Sequence, residues 1–251
     1  MISCLVISRI EGNSNHNLHC FLDSLESTCY SPENFEVLIC FDSDDRGLTY
    51  LLNTNIFKRP FVIKFIVIPR ENGYADLHKK YTYLLSLVDC KSSIVVATPD
   101  DYVFTSNNWD KQTIDISKSY SADDVFIIHS RPHPPDFRPN LQTKKFNVDS
   151  ILLNDMGDIS NLTGVDESPF WSRKLLELCD NKFFIPFTDA WTISVEYQLW
   201  HKHGINIALF LESLVFERKW SEACDGSSSS HWPVREAVFN RMKTKEYSDL
   251  I

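Results

Sequence analysis

Between residues 2 and 98 the chain repeatedly alternates a short apolar run with a stretch of helical spacing, and that alternation admits few folds. The runs are 2–8, 36–41, 61–68 and 94–98, rich in β-branched and aromatic residues, and each reads as a strand. Between them three sets of apolar residues recur at helical intervals: Leu18, Phe21, Leu22 and Leu25; Leu48, Leu51 and Leu52; and Leu77, Tyr81, Leu84, Leu85 and Val88. A β-α-β-α order predicts an α/β fold, a mostly parallel central sheet with helices on both faces and right-handed crossovers.

Beyond residue 100 the pattern is less regular. Residues 109–120, 168–179, 188–203 and 232–247 are expected to be helical, with Gly204 closing the third of these, and 125–129 and 205–211 to be strands. Residues 131–140 carry four prolines and read as a loop. No internal repeat or strong linker divides the 251 residues, so one domain is expected over 1–251.

Composition narrows the function. A formal charge of −9 argues against general nucleic-acid binding, which needs a basic face. Arg70, His78, Lys79 and Lys80 nevertheless form a local basic cluster. Seven scattered cysteines without metal-site spacing fit reduced thiols of a cytoplasmic protein. No apolar run is long enough to span a membrane, and residues 1–8 read as a strand and not as a signal peptide.

The chemistry is concentrated where strands end. The run 94–98 is stopped by Pro99 and followed by Asp100 and Asp101. In open α/β sheets ligands bind at the carboxyl ends of the strands. Adjacent carboxylates repel, and a hard divalent ion bridging a diphosphate would relieve that repulsion. Pro-Asp-Asp is equally a common solvated turn. The second run also ends in acids, Asp42, Asp44 and Asp45, so two strands of one series deliver carboxylates to the same edge.

With these stretches in order, residues 1–110 resemble the family 2-like glycosyltransferases of GT-A fold. The matching segments are Ile7-Ser8-Arg9 and its helix, Phe41-Asp42-Ser43-Asp44-Asp45, Arg70-Glu71-Asn72-Gly73 with the helix after it, and Thr98-Pro99-Asp100-Asp101 in the place of the DxD motif. Thr98 stands where that motif carries its first Asp. The likeness continues more loosely through Phe170-Trp171-Ser172-Arg173 and Asp189.

The resemblance implies a single GT-A-like domain, with 1–110 as the nucleotide-sugar half and 111–251 as the acceptor half. It also implies an inverting transfer from a nucleotide-diphosphate sugar to an acceptor, assisted by Mn2+ or Mg2+. Ser8, Arg9, Asp42, Asn72, Lys80 and Asp100 would contact the donor, with Asp42 accepting from an N–H of the base. Asp44 and Asp45 are expected to be solvated or to cap a helix. Asp100, Asp101 and a late His231 would hold the metal. Asp189 would be the general base, with Glu196 as a second candidate on the same helix. Two other classes fit the same residues less fully. A sugar-phosphate nucleotidyltransferase would need a glycine-rich basic loop after the first strand, where this chain has only 9–13. A non-catalytic nucleotide-sugar-binding protein would account for Thr98.

Overall fold

At the centre of the sheet lies β1 (Ile2–Ser8), flanked in parallel by β2 (Phe35–Asp42) on one side and β4 (Ile94–Pro99) on the other. The computed structural model describes residues 1–10, 14–72, 76–120, 124–131, 168–183, 191–192, 195–196, 199 and 203–218. The remaining elements are β3 (Val62–Ile68), β5 (Tyr102–Phe104), β6 (Ile127–Arg131), β7 (Phe170–Ser172) and β8 (Ala208–Arg218). The helices are α1 (Ser14–Thr28), α2 (Leu48–Leu52), α3 (Leu77–Leu85), α4 (Trp109–Lys118) and α5 (Arg173–Leu178). The eight strands run in the order β3-β2-β1-β4-β7-β6-β8-β5. The first four are mutually parallel, and β7 is antiparallel to both β4 and β6.

Two apolar layers sandwich this sheet because its strands alternate their side chains between faces. Ile2, Cys4 and Val6 of β1, with Val37, Ile39 and Phe41 of β2, pack against Leu18, Phe21, Leu22 and Leu25 of α1 and Leu48 and Leu51 of α2. Leu5, Leu38, Cys40, Val95 and Ala97 point the other way, onto Tyr81, Leu84 and Leu85 of α3. Handedness explains the division. The chain moves outward from β1 to β3 through α1 and α2, then reverses to reach β4 beyond β1. A right-handed crossover in the reversed direction must lay α3 on the opposite face.

At the outer edge of the sheet β3 exposes Val62, Phe65 and Val67. The entry to β2 is fixed from a distance by Asp110 of α4. Its buried carboxylate accepts the backbone N–H groups of Tyr30 (2.6 Å) and Ser31 (3.0 Å) and the Asn34 amide (2.8 Å).

Two expectations about the second half need correction. Residues 168–179 are not one helix. Phe170 and Trp171 are fully buried on opposite faces of a short strand, and the helix starts only at Arg173, where the Ser172 hydroxyl accepts the Leu175 N–H at 3.2 Å. Large aromatics on alternating faces satisfy both core layers, which a helix could not do at this place in the sheet. The strand expected at 205–211 starts later and runs on to Arg218, where it pairs with β5. The helix expected over 232–247 lies outside the described residues.

Candidate active site

The strand order turns back at β1 and β4, and this is where open α/β sheets bind their ligands. Register decides which residues meet there. Ile7 stands opposite Pro99, so the next residue, Ser8, faces Asp100; Ser8 also stands opposite Phe41, so Arg9 faces Asp42. Both juxtapositions are realised. The Ser8 hydroxyl donates to Asp100 Oδ2 at 2.5 Å. The Arg9 guanidinium lies 3.4 Å from Asp42 Oδ2 and donates to Asp44 Oδ1 at 2.9 Å. The last residues of one strand thus reach the acids at the ends of both neighbours.

Asp42 is buried and is held from its other oxygen as well, by the buried Lys80 ammonium of α3. Within the basic cluster expected around Lys80, Lys79 pairs with Asp76 at 2.7 Å. Asn72 is turned towards its own loop: its backbone N–H (2.9 Å) and side-chain amide (2.8 Å) both donate to Asp76 Oδ2. The Lys79 and Asn72 bonds outweigh burial and hold the Asp76 carboxyl below the usual carboxylate range.

Asp45 departs from expectation. It is buried, accepts the Ile10 N–H at 2.5 Å and the Gly47 N–H at 2.9 Å, and so ties the loop after β1 to the loop after β2. The sequence carries a signal for this, because Asp-Arg-Gly is an Asx-turn pattern. Asp44 is exposed, as expected, yet its carboxyl is held below the usual range by the Arg9 hydrogen bond.

Asp100 and Asp101 follow β4 on a tight turn and are half-buried. Burial pushes the Asp100 carboxyl up to about 7, the Asp101 charge pushes the same way, and the Ser8 hydrogen bond opposes both. Thr98 is buried and its hydroxyl donates to the Pro99 carbonyl at 3.2 Å. Two hard carboxylates match what Mg2+ or Mn2+ takes alongside phosphate oxygens, so the residues present fit such an ion. Among the described residues no group of three or more His, Cys, Asp or Glu gathers as a metal cage.

Asp189 and His231 lie outside the described residues. Glu196, on the helix expected to carry the base, is buried against the sheet, where the imidazole of His129 donates to it across 2.6 Å. Val96 and Ile128 share Phe170 as their β7 partner, which places His129 one residue further towards the carboxyl edge, two strands from β4.

No family model matches the chain, and no curated protein matches it. Solved structures do. One is a mannosyltransferase from Pyrobaculum calidifontis in complex with GDP-Man and Mn2+, with TM-score 0.61 at 13% identity over 96% of this chain and 64% of that one. Another is S. aureus TarS 1–349 in complex with UDP-GlcNAc, with TM-score 0.58 at 12% identity over 90% and 61%. A third is a 4-diphosphocytidyl-2C-methyl-D-erythritol synthase from Anaerococcus prevotii, with TM-score 0.50 at 9% identity over 95% and 96%. The chain therefore spans less than two thirds of the first two proteins. The likeness establishes the fold as α/β and GT-A-like.

Proposed function

We propose that this chain is a glycosyltransferase that binds a nucleotide-diphosphate sugar across the carboxyl ends of β1, β2 and β4. The observation that carries this reading is the meeting of Ser8 with Asp100 and of Arg9 with Asp42 at the point where the strand order turns back. Structures of the same fold in complex with GDP-Man and Mn2+, and with UDP-GlcNAc, support it.

In this reading Asp42 faces the base. Its carboxylate already accepts from Lys80 and Arg9, and it would take a further N–H from the pairing edge of a base such as uracil or guanine. Arg9 lines the approach to the diphosphate, and Asn72 shapes the loop beside it through Asp76. Asp100 and Asp101 would hold Mn2+ or Mg2+, which when bound neutralises charge on the departing nucleoside diphosphate. His231 is the proposed third ligand. Residues 111–251 would bind the acceptor, and Asp189 would take the proton from its hydroxyl in a single displacement that inverts the anomeric centre.

A nucleotidyltransferase is the second reading, favoured by the near-complete coverage of the synthase of this fold. Against it, residues 9–13 after β1 do not form the glycine-rich basic loop that such an enzyme would need. The test is calorimetry with UDP, GDP, dTDP and CTP in the presence of Mn2+, followed by turnover assays with the corresponding donor sugars. Tight UDP or GDP binding and release of nucleoside diphosphate from a donor sugar are expected. Pyrophosphate release from a nucleoside triphosphate and a sugar phosphate would establish the second reading instead.

A further inference from the structure

Ser8 is 2% exposed and sits at the last position of β1. A buried hydroxyl at a strand end could simply satisfy a backbone carbonyl. Instead it donates to a carboxylate on the neighbouring strand's turn, 92 residues away in sequence. Parallel pairing fixes the alignment: Val6 with Thr98 and Ile7 with Pro99 bring Ser8 level with Asp100. The hydroxyl bond adds a side-chain tether between β1 and the turn that carries Asp100, and it orients the carboxylate.

Thr98 increases the importance of that tether. Its hydroxyl is turned to the Pro99 carbonyl, and it contributes no carboxylate to the turn. Asp100 and Asp101 are then the acids that β4 delivers, and the orientation of each decides whether an ion can bind.

We infer that Ser8 is a positioning residue for the divalent ion, setting the Asp100 carboxylate across the β1/β4 junction, and not primarily a contact of the nucleotide. This inference rests on the proposed metal role of Asp100 and Asp101. Partners that orient a metal-binding carboxylate typically contribute about 10- to 100-fold in affinity.

The experiment is Mn2+ binding to the full chain without nucleotide, read by the loss of the free-ion electron paramagnetic resonance signal, for wild type, Ser8→Ala and Ser8→Cys. UDP and GDP affinities are measured in parallel without metal, and thermal unfolding confirms that each variant is folded. Both variants are expected to bind Mn2+ roughly 10- to 100-fold more weakly and to keep their metal-free nucleotide affinity. Cysteine shares the shape of serine, is only slightly larger and is a weak donor, so recovery of Mn2+ affinity in Ser8→Cys would show a packing role and overturn the inference. Equal Mn2+ affinity in wild type and Ser8→Ala would overturn it too, as would a matching loss of metal-free nucleotide affinity. Absence of Mn2+ binding by wild type would overturn the metal assignment itself, a result distinct from the others.

Discussion

The carboxylate of Asp45 holds the backbone of Ile10 at 2.5 Å, and through that bond the loop leaving β1 is fastened to the loop leaving β2. The same carboxylate accepts from Gly47. Asp45→Ala removes both acceptors from a buried place. The expected loss of stability is about 1–3 kcal/mol, the range for leaving buried donors unsatisfied. Nucleotide affinity should fall with it, since Arg9 is adjacent to the released segment. Urea unfolding and calorimetry with UDP and GDP measure the two effects, and undiminished stability would show that solvent replaces the carboxylate.

Gly47 lies against Ile10 so closely that an added Cβ would sit 2.5 Å from Ile10 Cγ2 and 3.1 Å from its backbone carbon. Its φ of −76° is open to any residue, so the demand for glycine here is one of space. Gly47→Ala should cost about 1–3 kcal/mol, the usual scale of overpacking. Ile10→Ala removes Cγ2, the nearest obstructing atom, though its Cβ at 2.8 Å remains, and the double variant should be more stable than the sum of the two single effects predicts. Strict additivity in urea unfolding would contradict this.

Lys80→Met leaves the buried Asp42 carboxylate with Arg9 alone. Breaking a buried pair from one side typically costs about 3–5 kcal/mol. Asp42→Asn in the same chain should restore part of that stability, because no unpartnered charge then remains. It should not restore nucleotide affinity if Asp42 reads the base. Unfolding and binding measured on wild type and these two variants separate structural from recognition roles, and full recovery of both would remove Asp42 from the donor site.

Asp100 sets a pH dependence of definite sign. Its folded pKa is raised from 3.8 to about 7, chiefly by burial. Between these values the folded chain holds a proton that the unfolded chain has lost, so the contribution of this group to stability falls as pH rises through that window and levels off above it. A divalent ion needs the ionised carboxylate, so its affinity should rise as pH is taken from about 6 to about 8. Unfolding in EDTA at a series of pH values, with Asp100→Asn as the flat reference, checks the first statement. Mn2+ titration over the same series checks the second.

The first four strands and their helices were legible because each uses a simple period. Leu18, Phe21, Leu22 and Leu25 are all fully buried, as their spacing requires. Phe170-Trp171 was misread because three residues are too few to show alternation, and only the sheet reveals that the two rings belong to different layers. At the site, the strand ends marked Asp42 and Asp100, but a sequence has no register. The pairing of Ser8 with Asp100 and of Lys80 with Asp42 becomes visible only when strands are aligned. Asp45 reads from sequence as a solvated or helix-capping acid, and only the fold shows it accepting the backbone N–H groups of Ile10 and Gly47.

β1 also carries a constraint on length. Its side chains alternate between two packed layers, and its last residue and the one that follows it answer to acids on opposite neighbours. Inserting or deleting one residue would exchange the layers and at the same stroke move Ser8 and Arg9 away from both partners. The strand thus works as a ruler, and insertions in related chains should fall in surface segments such as 53–55, where the side chains face solvent and nothing at the carboxyl edge depends on the count.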